Sequence, residues 1–368
     1  MVEVPRLHDG DVTLRQHRDD DLGRVVEQSN DEQSIAWTRV PVPYGLDDAK
    51  RFVRHAMPGG WATGQEWGFA VEHEARYAGT VSLRDRGDSR AEVAFGAHPD
   101  ARGRGVMERA LRLLLPWGFE EMGVQSVLWL AHRGNWPSRR LAWRLGFSID
   151  GTVSQWLVGR DGLLDAWVGS LRAGEPLLPR HVWYDAPRIT GSSVVLRSLR
   201  DDDVERMYES CIDEQTSYWL GGMPAPYTRD DAREFIARCR EQMAGGRALH
   251  WTMADPRTDV SLGVLSLMQR EPDLDLEVGY STHPDARRRG VTTEAVRLAV
   301  RHAFVPLEDG GLGRPRVTGY AAAGNVASRR VLEAAGFAPT GVQRLATVVR
   351  DGRHDLAGYD LLATDVVP

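Results

Sequence analysis

Two stretches of this chain carry the residue types of an anion seat. His98-Pro99-Asp100-Ala101-Arg102-Gly103-Arg104-Gly105-Val106 returns as His283-Pro284-Asp285-Ala286-Arg287-Arg288-Arg289-Gly290-Val291. Each follows a short apolar run of strand type, Glu92-Val93-Ala94-Phe95 and Glu277-Val278-Gly279-Tyr280, and each opens an apolar helical run near Ala110 and Ala295. Strand, basic glycine loop and helix start are the parts of a phosphate site. The first N–H groups of a helix have no partner within it, and the helix dipole places positive potential there. Glycine lets the backbone approach a ligand, and arginine adds charge. Arg102, Arg104 and Gly105, with Arg287, Arg289 and Gly290, are the candidate phosphate-binding residues. One copy alone reads equally well as a solvated turn; two copies in matching contexts argue against accident. His98 and His283 precede proline, which holds them extended, and read as turn residues.

Each copy has a second landmark downstream. Asn135-Trp136-Pro137-Ser138 leads to Leu145-Gly146-Phe147, and Asn325-Val326-Ala327-Ser328 leads to Ala335-Gly336-Phe337, with the same step from Asn to Gly. On these residues the chain resembles the GNAT acyl-CoA-dependent N-acyltransferases, and within them the RimJ/RimL type that acetylates protein N-termini. The family loop, Arg/Gln-x-x-Gly-x-Gly/Ala, is matched at Arg102 and Gly105 and at Arg287 and Gly290. The last place departs: Met107 and Thr292 stand there. The resemblance covers nearly the whole chain as two tandem domains.

What the resemblance implies is an α/β (α+β) fold, each domain a mixed, mostly antiparallel sheet with splayed central strands flanked by helices. The pantetheine of acetyl-CoA, or another acyl-CoA, lies in the splay, with its pyrophosphate on the loop. Acyl transfer to an amine needs a proton acceptor, a held oxyanion and a stabilised thiolate. The resemblance places Glu92 and Glu277 near the base position, and Ser138 and Ser328 near the thioester sulfur as acids. Asn135 and Asn325 then hold the pantetheine amide or the loop, and Trp37 and Trp219 border the acceptor pocket. The bland alternatives are an idle strand-edge glutamate and a helix-capping serine. The tyrosine acid of many other GNAT enzymes is absent, since its place reads Ala142 and Leu332. Asp165, the pair His354-Asp355 and His132 are other possible bases. Met107 is expected to crowd the first helix start, whereas Thr292 is small enough to donate to phosphate. These points favour the second half as the sounder site.

The elements that must hold these residues also come in pairs. Val12-Thr13-Leu14-Arg15 followed by Asp19-Asp20-Asp21 reads as a strand and a capped helix, repeated as Val194-Val195-Leu196-Arg197 and Asp201-Asp202-Asp203. Hairpins follow at 67–83 and 250–267, and each half closes with a hairpin around Arg160-Asp161-Gly162 or Arg350-Asp351-Gly352. The repeat predicts domains at 1–173 and 189–368, joined by a proline-bearing linker at 174–188. It is a duplication, since each unit far exceeds a solenoid repeat.

At 368 residues the chain can build two cores, and a net charge of −6 is not that of a protein coating nucleic acid. Two cysteines, Cys211 and Cys239, without a CxxC, suggest neither disulfides nor a zinc site. No signal peptide or membrane span is evident, so a cytoplasmic location is expected, with no metal, nucleic-acid or membrane partner. The expected activity is N-acetyl transfer from acetyl-CoA to a primary amine of a small molecule or peptide, in a monomer or homodimer. A protein N-terminal acetyltransferase and a non-catalytic acyl-CoA sensor or scaffold are the alternatives.

Overall fold

The computed structural model describes residues 3–270 and 275–366. By its contacts the chain forms two units, Met1–Arg180 and His181–Pro368.

The first unit runs β1 (Leu7–Asp9), β2 (Val12–Arg15), α1 (Leu22–Asn30), α2 (Glu32–Trp37) and α3 (Leu46–Arg51). A π turn at Phe52–Ala56 leads into α4 (Met57–Thr63). Then come β3 (Glu66–His73), β4 (Arg76–Asp85), β5 (Arg90–Ala97), α5 (Val106–Glu120), β6 (Ser126–His132), α6 (Trp136–Arg144), β7 (Ser148–Val158) and β8 (Leu163–Arg172). The second unit repeats the plan: β9 (Ile189–Thr190), β10 (Val195–Arg197), α7 (Val204–Ile212), α8 (Glu214–Trp219), α9 (Arg229–Ala244), β11 (Ala248–Ala254), β12 (Ser261–Gln269) and β13 (Asp275–Thr282). It ends with α10 (Val291–Phe304), β14 (Arg316–Ala322), α11 (Val326–Ala335), β15 (Ala338–Val349) and β16 (Gly352–Leu362).

Each unit holds one eight-stranded sheet, ordered β1-β2-β3-β4-β5-β6-β8-β7 and β15-β16-β14-β13-β12-β11-β10-β9. Every neighbour is antiparallel except β5 with β6 and β13 with β14. Those two parallel pairs are short. Pairing runs from Arg90↔Ser126 only to Val93↔Trp129, and from Asp275↔Arg316 only to Val278↔Gly319. Beyond that β5 keeps its other partner, to Gly79↔Ala97, and β6 keeps β8, to His132↔Ala166. The two central strands therefore part, and residues 94–97 and 130–132 face each other unpaired. The second sheet opens in the same way, as expected.

Both sheets bury apolar residues on both faces. One face of the first sheet packs α5 and α6 against Phe69, Val93 and Val127; the other carries a smaller cluster with Val25, Val53 and Tyr77. The second unit has the same division. Strand alternation then assigns each side chain a face.

Three local expectations need revision. The acidic run before α1 is more than a helix cap. Asp21 takes the Arg18 N–H at 2.9 Å and both Arg15 amino groups at 2.8 and 2.7 Å, with 3% and 2% of the two side chains exposed. Arg197 and Asp203 repeat this. Second, Met107 does not crowd the helix start. It is buried, and its Cε lies 2.9 Å from where a Cβ on Gly79 would stand. In the second unit Met253, on β11, fills the matching space over Gly263, so the small Thr292 suffices. Third, His98 and His283 are more than turn residues: each is buried and bonded on both ring nitrogens to carboxylates, Asp100 and Glu27 or Asp285 and Glu209.

The 174–188 stretch is anchored at both ends. Arg112 donates to the Leu177 carbonyl at 2.7 Å in the first unit, and Trp251 Nε1 donates to the Pro187 carbonyl at 2.9 Å in the second. Cys211 and Cys239 are free thiols on α7 and α9. No helix among the described residues is long and apolar enough to cross a membrane.

Candidate active site in each unit

The loop before α5 ends on Gly105, and that before α10 on Gly290, both left-handed at φ 72° and 75°. The first N–H accepted inside α5 is that of Arg109, by the Gly105 carbonyl. The N–H groups of Val106, Met107 and Glu108 precede it and point out of the helix start. Nothing lies within 4 Å of where a Cβ on Gly105 or Gly290 would stand, so the space over the loop is open.

The loop arginines are used unevenly. Arg102 donates to Asp31 at 2.6 Å and to Ser34, and Arg287 donates to Asp213 and to Thr216. Asp31 and Asp213 are the N-caps of α2 and α8, so these arginines tie the loop to the roof helices. Arg104 reaches Glu74 at 2.8 Å, and Arg289 lies 3.9 Å from Asp255. Thr292 is buried and bonded to Thr282 at 2.6 Å.

Asn135 and Asn325 cap their helices: each side-chain oxygen accepts the N–H of Ser138 or Ser328, at 3.2 and 3.1 Å. The capping role considered for the serines belongs to the asparagines, which leaves the hydroxyls available. In the first unit Trp129 Nε1 donates to Ser138 Oγ at 3.1 Å. In the second, Tyr280 donates to the Ser328 carbonyl at 2.9 Å and lies 3.1 Å from its Oγ. Burial pushes the Tyr280 hydroxyl up to about 12, although the Ser328 bond pulls the other way, so it stays protonated at neutral pH. Sequence reasoning missed Tyr280. The signal was its place at the end of Glu277-Val278-Gly279-Tyr280, where the first copy has Phe95.

The glutamates face the other way. A Cβ on Gly96 would meet Gln28 of α1 at 3.0 Å, so Glu92, Ala94 and Gly96 face the α1 side while Ser138 lies on the α5 and α6 side. Glu92 is ion-paired to Arg86, with Arg84 at 3.7 Å. Glu277 meets Arg270 at 2.6 Å, and burial raises its carboxyl above the ordinary range, only partly offset by that arginine. The arrangement thus has carboxylates on one face of the parted strands and hydroxyls on the other.

The roof is built alike in both units. Trp37 ends α2 and lies against Gly134, and Trp219 ends α8 and lies against Gly324, 3.8 and 3.5 Å from the positions a Cβ would take. The last hairpin grips this roof. Arg160 donates to the carbonyls of Ile35, Thr38 and Val40; in the second unit Tyr218 donates to Asp351 at 2.9 Å. Asp165 and Asp355 are committed to structure, accepting the N–H of Gln155 and Leu345 at strand bulges. His354 pairs with Asp351 rather than Asp355.

The sequence model of the acetyltransferase (GNAT) domain family matches residues 11–148 and again residues 193–338. The chain belongs to the GNAT acetyltransferases. Its units are two tandem GNAT domains, and it is an N-acetyltransferase. The putative ribosomal N-acetyltransferase YdaF of Bacillus subtilis (strain 168) is 33% identical over 174 residues, 46% of this chain and 91% of that protein. The probable N-acetyltransferase YjcK of the same organism is 31% identical over 120 residues, 32% of this chain and 64% of that protein. A solved probable acetyltransferase is 28% identical, with a TM-score of 0.43 over 49% of this chain and 99% of its own.

The residues of this GNAT acetyltransferase suit an acyl-CoA. The loop glycines leave room for phosphate, and the parted strands leave backbone groups for an extended arm. Gln28 Oε1 and Ser210 Oγ, at matching places on α1 and α7, are buried without a hydrogen-bond partner. Such orphaned atoms are costly unless a ligand or water meets them. Among the described residues no group of three or more His, Cys, Asp and Glu side chains is arranged to hold a metal.

Proposed function

We propose that the chain moves acetyl from acetyl-CoA to a primary amine of a small molecule or peptide, by direct attack, and that the second unit is its main site. Acetyl-CoA supplies a thioester carbonyl open to an amine. Glu277, its carboxyl raised by burial, takes the amine proton on the α7 side. Ser328 gives a proton at Oγ on the α11 side, toward the departing sulfur. Tyr280, in reach of that Oγ, makes good the loss. Gly290 and the N–H groups opening α10 seat the pyrophosphate, with Arg289 beside them. Arg287 serves by holding the loop to α8.

The Tyr280–Ser328 pair carries this reading. In the first unit the matching serine meets an indole N–H, which donates but is no source of a proton at neutral pH. The name of the Bacillus subtilis relative, a putative ribosomal N-acetyltransferase, supports a second reading in which the amine is a protein N-terminus.

The test is acetyl-CoA binding by calorimetry on wild type, Gly105→Trp and Gly290→Trp. An indole at either glycine occupies the open space over its loop and strains the left-handed backbone. Gly290→Trp is expected to remove one binding site and at least about tenfold of amine-dependent CoA release. Unchanged release after Gly290→Trp sinks the assignment to the second unit. No binding by wild type sinks the cofactor itself.

A further inference from the structure

The first unit differs from the second on the α1 side of its parted strands. Trp129 reaches Ser138 on the α6 side, so alternation turns Leu128, Leu130 and His132 toward α1 and α2. Val168, paired with Leu130, shares that face. All four are half-buried. The second unit has Thr318, Tyr320, Ala322 and Gly358 at these places, with the charged Asp360 and Arg316 alongside. The first unit therefore offers an apolar wall with one imidazole at its end.

His132 is placed as a base. It lies three residues past the last β5–β6 pair, on the wall of the opening. Its ring meets Trp37 edge-on, 6.3 Å between centroids, which fixes its orientation. Nδ1 is buried with no hydrogen-bond partner. Burial keeps the ring below its ordinary range, hence neutral. Its neighbour Arg133 lies 3.9 Å from Asp165, and Glu92 on the same face is held by Arg84 and Arg86.

We propose that the first unit is a second transfer site, in which His132 takes the proton of a primary amine borne on an aryl or alkyl group seated against Leu128, Leu130, Val168 and Trp37. The proposal rests on the reading that acetyl-CoA enters between the parted strands. The nitrogen lone pair forms the C–N bond to the acetyl carbon, and the C–S bond breaks with its electron pair going to sulfur. His132 Nε2 holds the amine proton and passes it to solvent, and sulfur is protonated from the Ser138 hydroxyl or water.

The experiment uses the full chain carrying Gly290→Trp, which silences the second unit, with 2-phenylethylamine as acceptor. Calorimetry of acetyl-CoA and of the amine accompanies CoA release. The proposal expects one acetyl-CoA bound and the amine acetylated. Adding His132→Ala should lower kcat by about 10² to 10³ with acetyl-CoA binding unchanged, and imidazole in the buffer should restore part of it. His132→Gln, of similar size, should show the same loss with an unchanged unfolding midpoint. Leu130→Ser should weaken amine binding roughly tenfold. Turnover within threefold of the parent after His132→Ala overturns the proposal, as does acetyl-CoA binding without any acetylation of the amine. A parent chain that binds no acetyl-CoA overturns it too, and assigns the failure to the cofactor reading rather than to His132.

Discussion

In the first unit the serine beside the parted strands is held by Trp129 from β6; in the second it is held by Tyr280 from β13. The exchange needs a second change. Where Trp129 stands, the second unit has Gly319, and a Cβ there would meet Leu332 at 2.7 Å. Where Tyr280 stands, the first has Phe95, partly buried against the core and without a hydroxyl. Two other sets move together: Met107 over Gly79 against Met253 over Gly263, and Leu128, Leu130 and His132 against Thr318, Tyr320 and Ala322. Unchanged are the buried Arg–Asp pair, the Asn caps and the arginine tie to the roof helix. The frame is kept pair by pair, while the groups that would meet substrates differ in whole sets.

If the frame is truly common, breaking it should hurt both units alike. Asp203→Asn leaves Arg197 buried with only Asp259 at 3.2 Å, and Asp21→Asn leaves Arg15 with Glu72 at 2.7 Å. Each is expected to cost its unit about 3–5 kcal/mol in urea unfolding. Burial alone would push the Asp203 carboxyl up, but bonds from Arg197, the Arg200 N–H and Thr252 outweigh it, and the net position is below 3.8. Its stabilisation is therefore complete above that value and fades as pH falls through the lower folded one. The gap between wild type and Asp203→Asn should close at acid pH. A full loss in one unit and none in the other breaks the comparison.

The frame was legible in the sequence because it is written locally. The loop, the Asn-x-x-Ser turn and the strand alternation each lie within a few residues, and the repeat doubled every signal. What was not legible depends on partners distant in the chain. That Asp21 is spent on Arg15 rather than on the helix alone, that Met107 turns inward over Gly79, and that Arg102 reaches Asp31 are all tertiary facts. Tyr280 is not legible because the tyrosine place that the resemblance points to, on the helix after β14, is Leu332, which lies in the core. A phenol does stand on the strand beneath, where Tyr280 meets Ser328.

Chemistry should separate the units where the frame does not. Glu277→Gln should lower kcat in the second unit by about 10² to 10³. Because burial raises that carboxyl, the ascending limb of its wild-type pH–rate profile should lie above 4.5, with activity lost as pH falls through it. Tyr280→Phe should cost less, about tenfold in kcat with KM little changed, since Ser328 and water remain. Glu92→Gln and Ser138→Ala measured in the Gly290→Trp chain supply the contrast. Should Tyr280→Phe be silent, the Tyr280–Ser328 pair is packing, and the chemical difference between the units shrinks to their bases.

The smallest effect sits in the loop itself. Gly103 and Arg288 occupy the same place, both left-handed, at φ 71° and 61°. Glycine adopts that conformation without steric cost, whereas a side chain is strained there by roughly 1–2 kcal/mol. Glycine also loses more chain entropy on folding, which offsets part of the gain. Arg288→Gly should then stabilise the second unit by up to about 1 kcal/mol, read as a shifted urea midpoint at constant slope. Gly103→Arg should destabilise the first by a similar amount. The guanidinium of Arg288 is exposed, so its loss removes no packing. If Arg288→Gly gains stability yet weakens acetyl-CoA binding, the arginine is kept for phosphate against its own backbone, and the third positive charge is a property of the second site. If it gains stability and binding is unchanged, the two loops are equivalent seats, and the difference between the units lies wholly in the parted strands.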